Sequence, residues 1–339
     1  MDRELVGKAR RHLLEWEQSG VDEQLTRLNV IPLNGRLALD YLLYAEALPR
    51  RNDGRISDQL LKRYEHAEQG GWWCSGMDLL TGEPDTWGCF KPDRPRLDAD
   101  KRKPIKYEHP PKVPTGLFAL RVPPHIWQRI ADRHNLGIQE SDIDRTRPDF
   151  GFWPWLLAHP EIPLCITEGA KKAGALLTAG FAAVALPGIN SGYRTPKDEE
   201  GNRTGRSRLL PQLKKLAGDR EILIAFDSDA KPATVKAVEA AIRKLGYLLQ
   251  QAGCRVKVLG WPPEDGKGVD DLIARQGQPH FERIYHQALP LDIWKAQSWT
   301  KLSYSPNVAL NCRYLPDLAI PETARLVGIK SPKGTGKPA

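Results

Sequence analysis

Glu168, Asp227, Asp229, Asp270 and Asp271 are the residues of this chain whose spacing carries the most chemistry. Glu168 ends the apolar run Pro163-Leu164-Cys165-Ile166-Thr167, and Asp227-Ser228-Asp229 ends the run from Ile222 to Phe226. Asp270 and Asp271 come after Val256, Val258 and Leu259 and the loop Asp265-Gly266-Lys267-Gly268. If each run is a strand of one open parallel sheet, the acids all reach its carboxyl edge, where ligands bind in such folds. Spacing of two in an extended chain puts Asp227 and Asp229 on one side. Carboxylates gathered in one place repel one another unless a cation joins them, and hard oxygen donors suit Mg²⁺. Gly169 permits a tight turn, the helix after it offers unpaired amides, and Lys171 and Lys172 add positive charge, a combination that suits phosphate. A lone Asp-x-Asp is more often a helix cap or a solvated turn. The ordered set, with an apolar run before each acid, gives the pattern its weight.

The elements that must position these acids follow from periodicity. The apolar runs at 163–167, 182–186, 222–226 and 256–259 read as strands. Ala170 to Ala179 reads as a helix, and Val235, Val238, Ile242, Leu245 and Leu249 step by three and four along another. Alternating strands and helices argue for an α/β fold with a parallel sheet covered on both faces. Upstream, Leu5, Ala9, Leu13 and Trp16 mark an amphipathic helix over residues 3–18, and residues 21–68 read as further helix. The Gly- and Pro-rich stretch 70–125 leaves little room for helix and reads as short strands and long loops. The resulting division is a helical region (1–68), a basic strand- and loop-rich region (69–160), an α/β domain (161–290) and a tail (291–339).

Composition narrows the partners. Lys and Arg number 50 against 42 Asp and Glu, a net charge of +8, so an anionic partner is favoured. An apolar content of 40% excludes wholesale disorder. Cys74, Cys89, Cys165, Cys254 and Cys312 are odd in number and form no CxxC pair, which points to a reducing, cytoplasmic setting. Met1-Asp2-Arg3-Glu4 does not begin a signal peptide, and the uncharged run Ala173 to Ile189 is too short and too broken to span a bilayer, so no membrane partner is expected. Lys91, Arg94, Arg96, Lys101, Arg102, Lys103 and Lys106 form a basic segment, and Arg203, Arg206 and Arg208 a basic loop, both suited to nucleic-acid phosphates. Trp72, Trp73 and Trp87 are read first as core anchors and second as base-stacking platforms. His66, Cys74 and Cys89 match no zinc spacing, and nothing beside Tyr107 activates a phenol as nucleophile.

The acid pattern resembles the Toprim domain, shared by bacterial replicative primases, topoisomerases and some nucleases. Its Glu-Gly, Asp-x-Asp and terminal acidic patch correspond here to Glu168-Gly169, Asp227-Ser228-Asp229 and Gly268-Val269-Asp270-Asp271. The resemblance implies a Toprim-like open parallel sheet flanked by helices, preceded by an N-terminal α+β region. It also implies Glu168 as acid/base or metal-positioning group and Asp227 and Asp229 as Mg²⁺ ligands, with Asp270 nearby. Many primase-type domains place an acid four residues after the Glu, where this chain has Lys172.

The strings Gly71-Trp72-Trp73-Cys74, Trp87-Gly88-Cys89-Phe90-Lys91-Pro92-Asp93, Ile105-Lys106-Tyr107-Glu108-His109-Pro110-Pro111 and Thr167 to Ala175 extend the match. They are similar to a family of cyanobacterial plasmid replication proteins, in which a Toprim-like domain of unknown function precedes a P-loop helicase. Ser331 to Lys337 resembles a Walker A loop, but Ser331 stands where Gly is wanted and Pro338 where a hydroxyl is needed, so no ATPase activity is expected. The expected activity is primase-like: Mg²⁺-dependent nucleotidyl transfer from nucleoside triphosphates on single-stranded DNA, with Lys171, Lys172 and Gly169 holding triphosphate or template. A non-catalytic DNA-binding or helicase-docking module and a Toprim-type nuclease are the alternatives.

Overall fold

The structure is a computed structural model that describes residues 3–98, 100 and 102–300, with side chains for 7–98, 100 and 102–297. Lys101, Cys312 and the string from Ser331 to Lys337 lie outside the described residues. Helix α1 (Arg3–Glu17) leads into α2 (Glu23–Asn29), where Asp22 caps the first turn by accepting from the Leu25 amide at 3.0 Å. Then come strand β1 (Val30–Leu33), helices α3 (Arg36–Leu42) and α4 (Asp58–Tyr64), and strands β2 (Gly71–Met77) and β3 (Pro84–Pro92). The three strands form an antiparallel sheet in the order β1-β2-β3. β1 lies inside the stretch expected to be helical. Its Pro32 is tolerated because β1 is an edge strand, and its pairing partner lies far along the chain in Gly71–Cys74. Helices α5 (Pro124–Arg133) and α6 (Phe152–Ala158) follow; α5 starts on a proline and buries Ile126, Trp127, Ile130 and Ala131 along one face.

The second sheet matches the expected α/β class. It is built from β4 (Leu164–Glu168), α7 (Ala170–Thr178), β5 (Ala183–Leu186), a two-stranded ribbon of β6 (Tyr193–Arg194) and β7 (Arg208–Leu209), and α8 (Pro211–Leu216). The chain continues through β8 (Glu221–Ala225), α9 (Pro232–Gln251), β9 (Arg255–Val258), α10 (Val269–Gln276), α11 (Gln278–His286), β10 (Leu289–Pro290) and α12 (Leu291–Thr300). The sheet order is β10-β9-β8-β4-β5, parallel throughout except for the short edge strand β10. β4, β5 and β8 are buried almost along their whole length, as apolar strands covered on both faces must be. Arg220, just before β8, is fully buried. Its guanidinium donates to the carbonyls of Leu216, His159, Ile162 and Leu156 at 2.6–3.1 Å, so it closes the ends of α6 and α8.

Residues 1–296 form one compact unit. The segment Leu117–Leu120 ties its two sheets together. Phe118 exchanges both backbone hydrogen bonds with Ala185 of β5, at 2.8 and 3.0 Å, and the Ala119 carbonyl accepts from Met77 of β2 at 2.7 Å. Gly76 makes that approach possible, since a β-carbon there would overlap the Ala119 carbonyl. One apolar cluster accordingly runs from Trp16 of α1 through Trp72, Phe118, Ile166 and Ile224 to Leu291. Its consequence for function is positional: α1 and the β2–β3 hairpin face the carboxyl edge of the parallel sheet.

Candidate functional site

β4 and β8 are neighbours, and their register ends with Thr167 opposite Ala225. Glu168 and Asp227 therefore leave the sheet beside each other. The chain crosses from β5 on one side of β4 to β8 on the other, so this is the point where strand order reverses and where open α/β sheets place their ligands. Gly169 turns the chain with φ +89°, a left-handed value that L side chains rarely adopt, and α7 begins at once. Lys172 on its first turn then points back at the acids. Its Nζ lies 2.7 Å from Asp227 Oδ1. Burial works against the Lys172 charge, but Asp227, Asp270 and Glu168 more than offset it and hold the ammonium above the ordinary lysine range. Burial, and then the charge of Asp227, pushes the Glu168 carboxyl up, with Lys172 and Lys267 pulling against the shift. Asp270, at the start of α10, is also raised, chiefly by burial. Gly268 makes room for this packing, because a β-carbon there would overlap Lys172 Cε and Asp270 Oδ1.

Asp229 is engaged elsewhere. Its Oδ1 accepts from the Lys231 amide at 2.8 Å and its Oδ2 lies 3.8 Å from Lys267 Nζ. Ser228 is locked between them, its hydroxyl on the Trp261 carbonyl and its amide on the Lys267 carbonyl. The expected Mg²⁺ ligands Glu168, Asp227, Asp229 and Asp270 thus come from elements that meet at one edge, but a lysine ammonium stands among them. Among the described residues, no group of three or more His, Cys, Asp or Glu side chains is placed to hold a metal ion. As arranged, the residues do not fit Mg²⁺. That ion needs near-octahedral oxygen donors, and here one oxygen of Asp227 is paired to a cation that would repel it.

The other wall of the edge comes from α1 and the hairpin. His12, Glu15 and Trp16 share one face of α1, at i, i+3 and i+4. Trp16 packs edge-on against Trp72, and His12 bonds Asp93 at 2.8 Å. Between them the Glu15 carboxylate receives Lys91 Nζ at 2.7 Å, Lys171 Nζ at 2.8 Å and Trp72 Nε1 at 3.1 Å. Burial alone would raise Glu15, but the hydrogen bonds from Lys171, Lys91 and Trp72 bring it down to about 2. Trp72 sits at a junction. On one side a cleft of about 170 Å³ is lined by Tyr107, Phe118, Glu168, Lys171, Lys172 and Asp270. On the other a groove of about 570 Å³ runs along α1 past Arg10, Arg11 and Lys91. Sequence reasoning placed Lys91 and Lys171 in separate groups and missed Glu15, because nothing local to a helix marks an acid that meets lysines from β3 and α7.

The remaining candidates scatter. Arg94, Arg102, Lys103 and Lys106 are exposed, as are Arg203, Arg206 and Arg208 in and beside the β6–β7 ribbon. Arg96, expected among the phosphate contacts, instead turns inward: it forks onto the buried Glu108 at 2.7 and 3.0 Å, where His66 also contacts the carboxylate. Trp72, Trp73 and Trp87 are buried, which answers to the core-anchor reading. Cys74 and Cys89 face each other across β2 and β3, and burial pushes the Cys89 thiol up to about 12. Burial likewise raises the Tyr107 phenol, which is no activated nucleophile.

Comparison with known proteins places these features in context. The chain is 49% identical over 335 residues to an uncharacterized cyanobacterial protein of Picosynechococcus sp., a match that covers 97% of this chain and 33% of that protein. A shorter stretch of 107 residues is 36% identical to an integrase of Enterobacteria phage P4, covering 29% of this chain and 24% of the integrase. The chain thus spans about a third or less of the relatives it matches. Among solved structures, the zinc-binding and RNA polymerase domains of the Aquifex aeolicus primase superpose with a TM-score of 0.46 and 16% identity, covering 88% of this chain and 62% of that one. Residues 152–280, which hold the whole carboxylate edge, match the family described as a domain of unknown function, DUF3854.

Proposed function

We propose that this chain is the DNA-binding part of a replication protein, and that its carboxylate edge is closed by Lys172 instead of by a divalent metal. The observation that carries the reading is the 2.7 Å contact between Lys172 and Asp227, with Glu168 and Asp270 in the same field. Lys172 already brings a cation to that edge from within the chain, and the exposed basic side chains elsewhere offer sites for an anion. A net charge of +8, the exposed Arg94, Arg102, Lys103 and Lys106, and the groove beside Arg10 and Arg11 all favour an anionic polymer. Single-stranded DNA is the polymer proposed, in a plasmid setting, with a helicase as partner. The division of the chain at residues 68, 160 and 290 belongs to the same proposal.

Nucleotidyl transfer, in which a 3′-hydroxyl attacks an α-phosphate and pyrophosphate leaves, is the second reading. It is favoured by the raised carboxyls of Glu168 and Asp270 beside a cleft that also holds Lys171. Nuclease action is the third outcome to be scored. The protein is incubated with labelled single-stranded DNA and nucleotides, with Mg²⁺ or with a chelator, and binding, extension and cleavage are read together. The proposal expects salt-sensitive binding that survives the chelator, with neither extension nor cleavage. Mg²⁺-dependent extension that is lost on replacing Asp227 and Asp229 by Asn would overturn it in favour of catalysis.

A further inference from the structure

Three donors from three separate elements converge on Glu15: Lys91 from the end of β3, Lys171 from the first turn of α7, and the indole N–H of Trp72 from β2. Two ammonium groups and a neutral N–H aimed at one point make an anion-binding cradle, and one carboxylate leaves it with an excess positive charge. We propose that this cradle is a phosphate site, that Glu15 fills it in the ligand-free chain, and that an incoming phosphate displaces the carboxylate. The inference rests on the reading of the chain as a nucleic-acid binder and names where one backbone phosphate docks.

The geometry around Glu15 supports exchange. Its side chain is about a quarter exposed, at 28%, and those of Lys91 and Lys171 are 33% and 22% exposed, so water and ligand reach the cradle. The helix that carries Glu15 is pinned by its neighbour Trp16, which is fully buried against Trp72. Displacement therefore takes a turn of one side chain, with α1 left in place. The cradle lies where the groove along α1 meets the cleft at the carboxyl edge. A strand lying in the groove past Arg10 and Arg11 would bring a phosphate to Lys91 and Lys171 before its next unit reached Lys172. Glu15 then acts as an internal competitor that sets a threshold for binding.

The test measures anisotropy of a labelled oligothymidylate over a range of salt concentrations. The proteins are the intact chain, Glu15→Gln, Glu17→Gln, the Lys91→Gln/Lys171→Gln pair and the triple variant, with melting curves to confirm that each folds. Glu17 lies two residues along the same helix and controls for a general change of charge. Glu15→Gln should bind about three- to tenfold tighter, and Glu17→Gln should stay within about twofold of the intact chain, since a like charge costs most at the contact itself. Removing both lysines should abolish the gain and flatten the salt dependence by about 1.4 in log–log slope, about 0.7 for each lost contact with a single strand. Thymidine monophosphate and inorganic phosphate are added as competitors. Full displacement by either assigns the site to a small phosphate ligand, and failure of both assigns it to the polymer backbone. If all variants bind the oligonucleotide equally, the cradle is overturned while the DNA-binding reading stands. If none binds it but Glu15→Gln binds thymidine monophosphate more tightly, the cradle stands and that reading falls. If no variant binds either probe, both fall.

Discussion

At the carboxyl edge of the parallel sheet a lysine is lodged among acids; across the cleft an acid is lodged among lysines. Lys172 and Asp227 are 19% and 16% exposed, whereas Glu15 and Lys91 are more open at 28% and 33%, with Lys171 between at 22%. The difference in burial decides what each cluster can do. A buried pair is hard to open, because each partner left alone bears the cost of desolvation. A cluster about a quarter exposed trades one anion for another more readily, because water screens the intermediate state. The motif with the most conspicuous acids thus already holds a cation from within the chain, and the site open to exchange was hidden in the three-dimensional meeting of α1, β3 and α7.

The largest effect is expected at Lys172. Lys172→Met keeps the stem and removes the charge, leaving Asp227 unpaired beside Glu168 and Asp270, and should cost about 3–5 kcal/mol in urea unfolding. Millimolar Mg²⁺ should recover part of that loss in the variant and add nothing to the intact chain; an equal gain in both would show that the lysine does not close the site. Gly268→Ala comes next, at about 1–3 kcal/mol, because its new methyl group meets Lys172 Cε and Asp270 Oδ1. In the Lys172→Met background the penalty should change, and strict additivity would place the lysine elsewhere.

Glu15→Gln should cost less, about 1–2 kcal/mol at neutral pH, since charge-assisted hydrogen bonds become neutral ones. Its pH dependence has a definite sign. The folded carboxyl sits at about 2 against an ordinary 4.5, so its stabilisation is complete above pH 4.5 and fades as pH falls towards 2. Unfolding midpoints of the two proteins should therefore converge in acid, and a gap that stays constant would remove Glu15 from the cluster. The smallest effect is expected at Asp229→Asn, below about 0.5 kcal/mol, because Lys267 is mostly exposed and Asn can still accept from the Lys231 amide.

Much of the α/β region was legible because its signals are local. The runs that became β4, β5, β8 and β9 are apolar and bounded by Gly, Pro or Asp, and α9 shows its period over Val235 to Leu249. β1 was not legible, since Val30-Ile31-Pro32-Leu33 is a strand only through its pairing with Gly71–Cys74. The acids of the edge were found from their order after strands. Whether they face a metal or a lysine depends on Gly268 letting the Lys172 stem pass, a contact between residues nearly a hundred positions apart. Arg96 illustrates the same limit: its charge marked it for a phosphate, and the fold spends it on Glu108.

The extended segment at Phe118 has a mechanical consequence. It is bonded to β5 on one side and to the end of β2 on the other, so it couples the two sheets through backbone hydrogen bonds. Amide hydrogens of Met77, Phe118 and Ala185 should then exchange with solvent in a single cooperative event. Occupancy of one wall of the cleft would slow exchange on both.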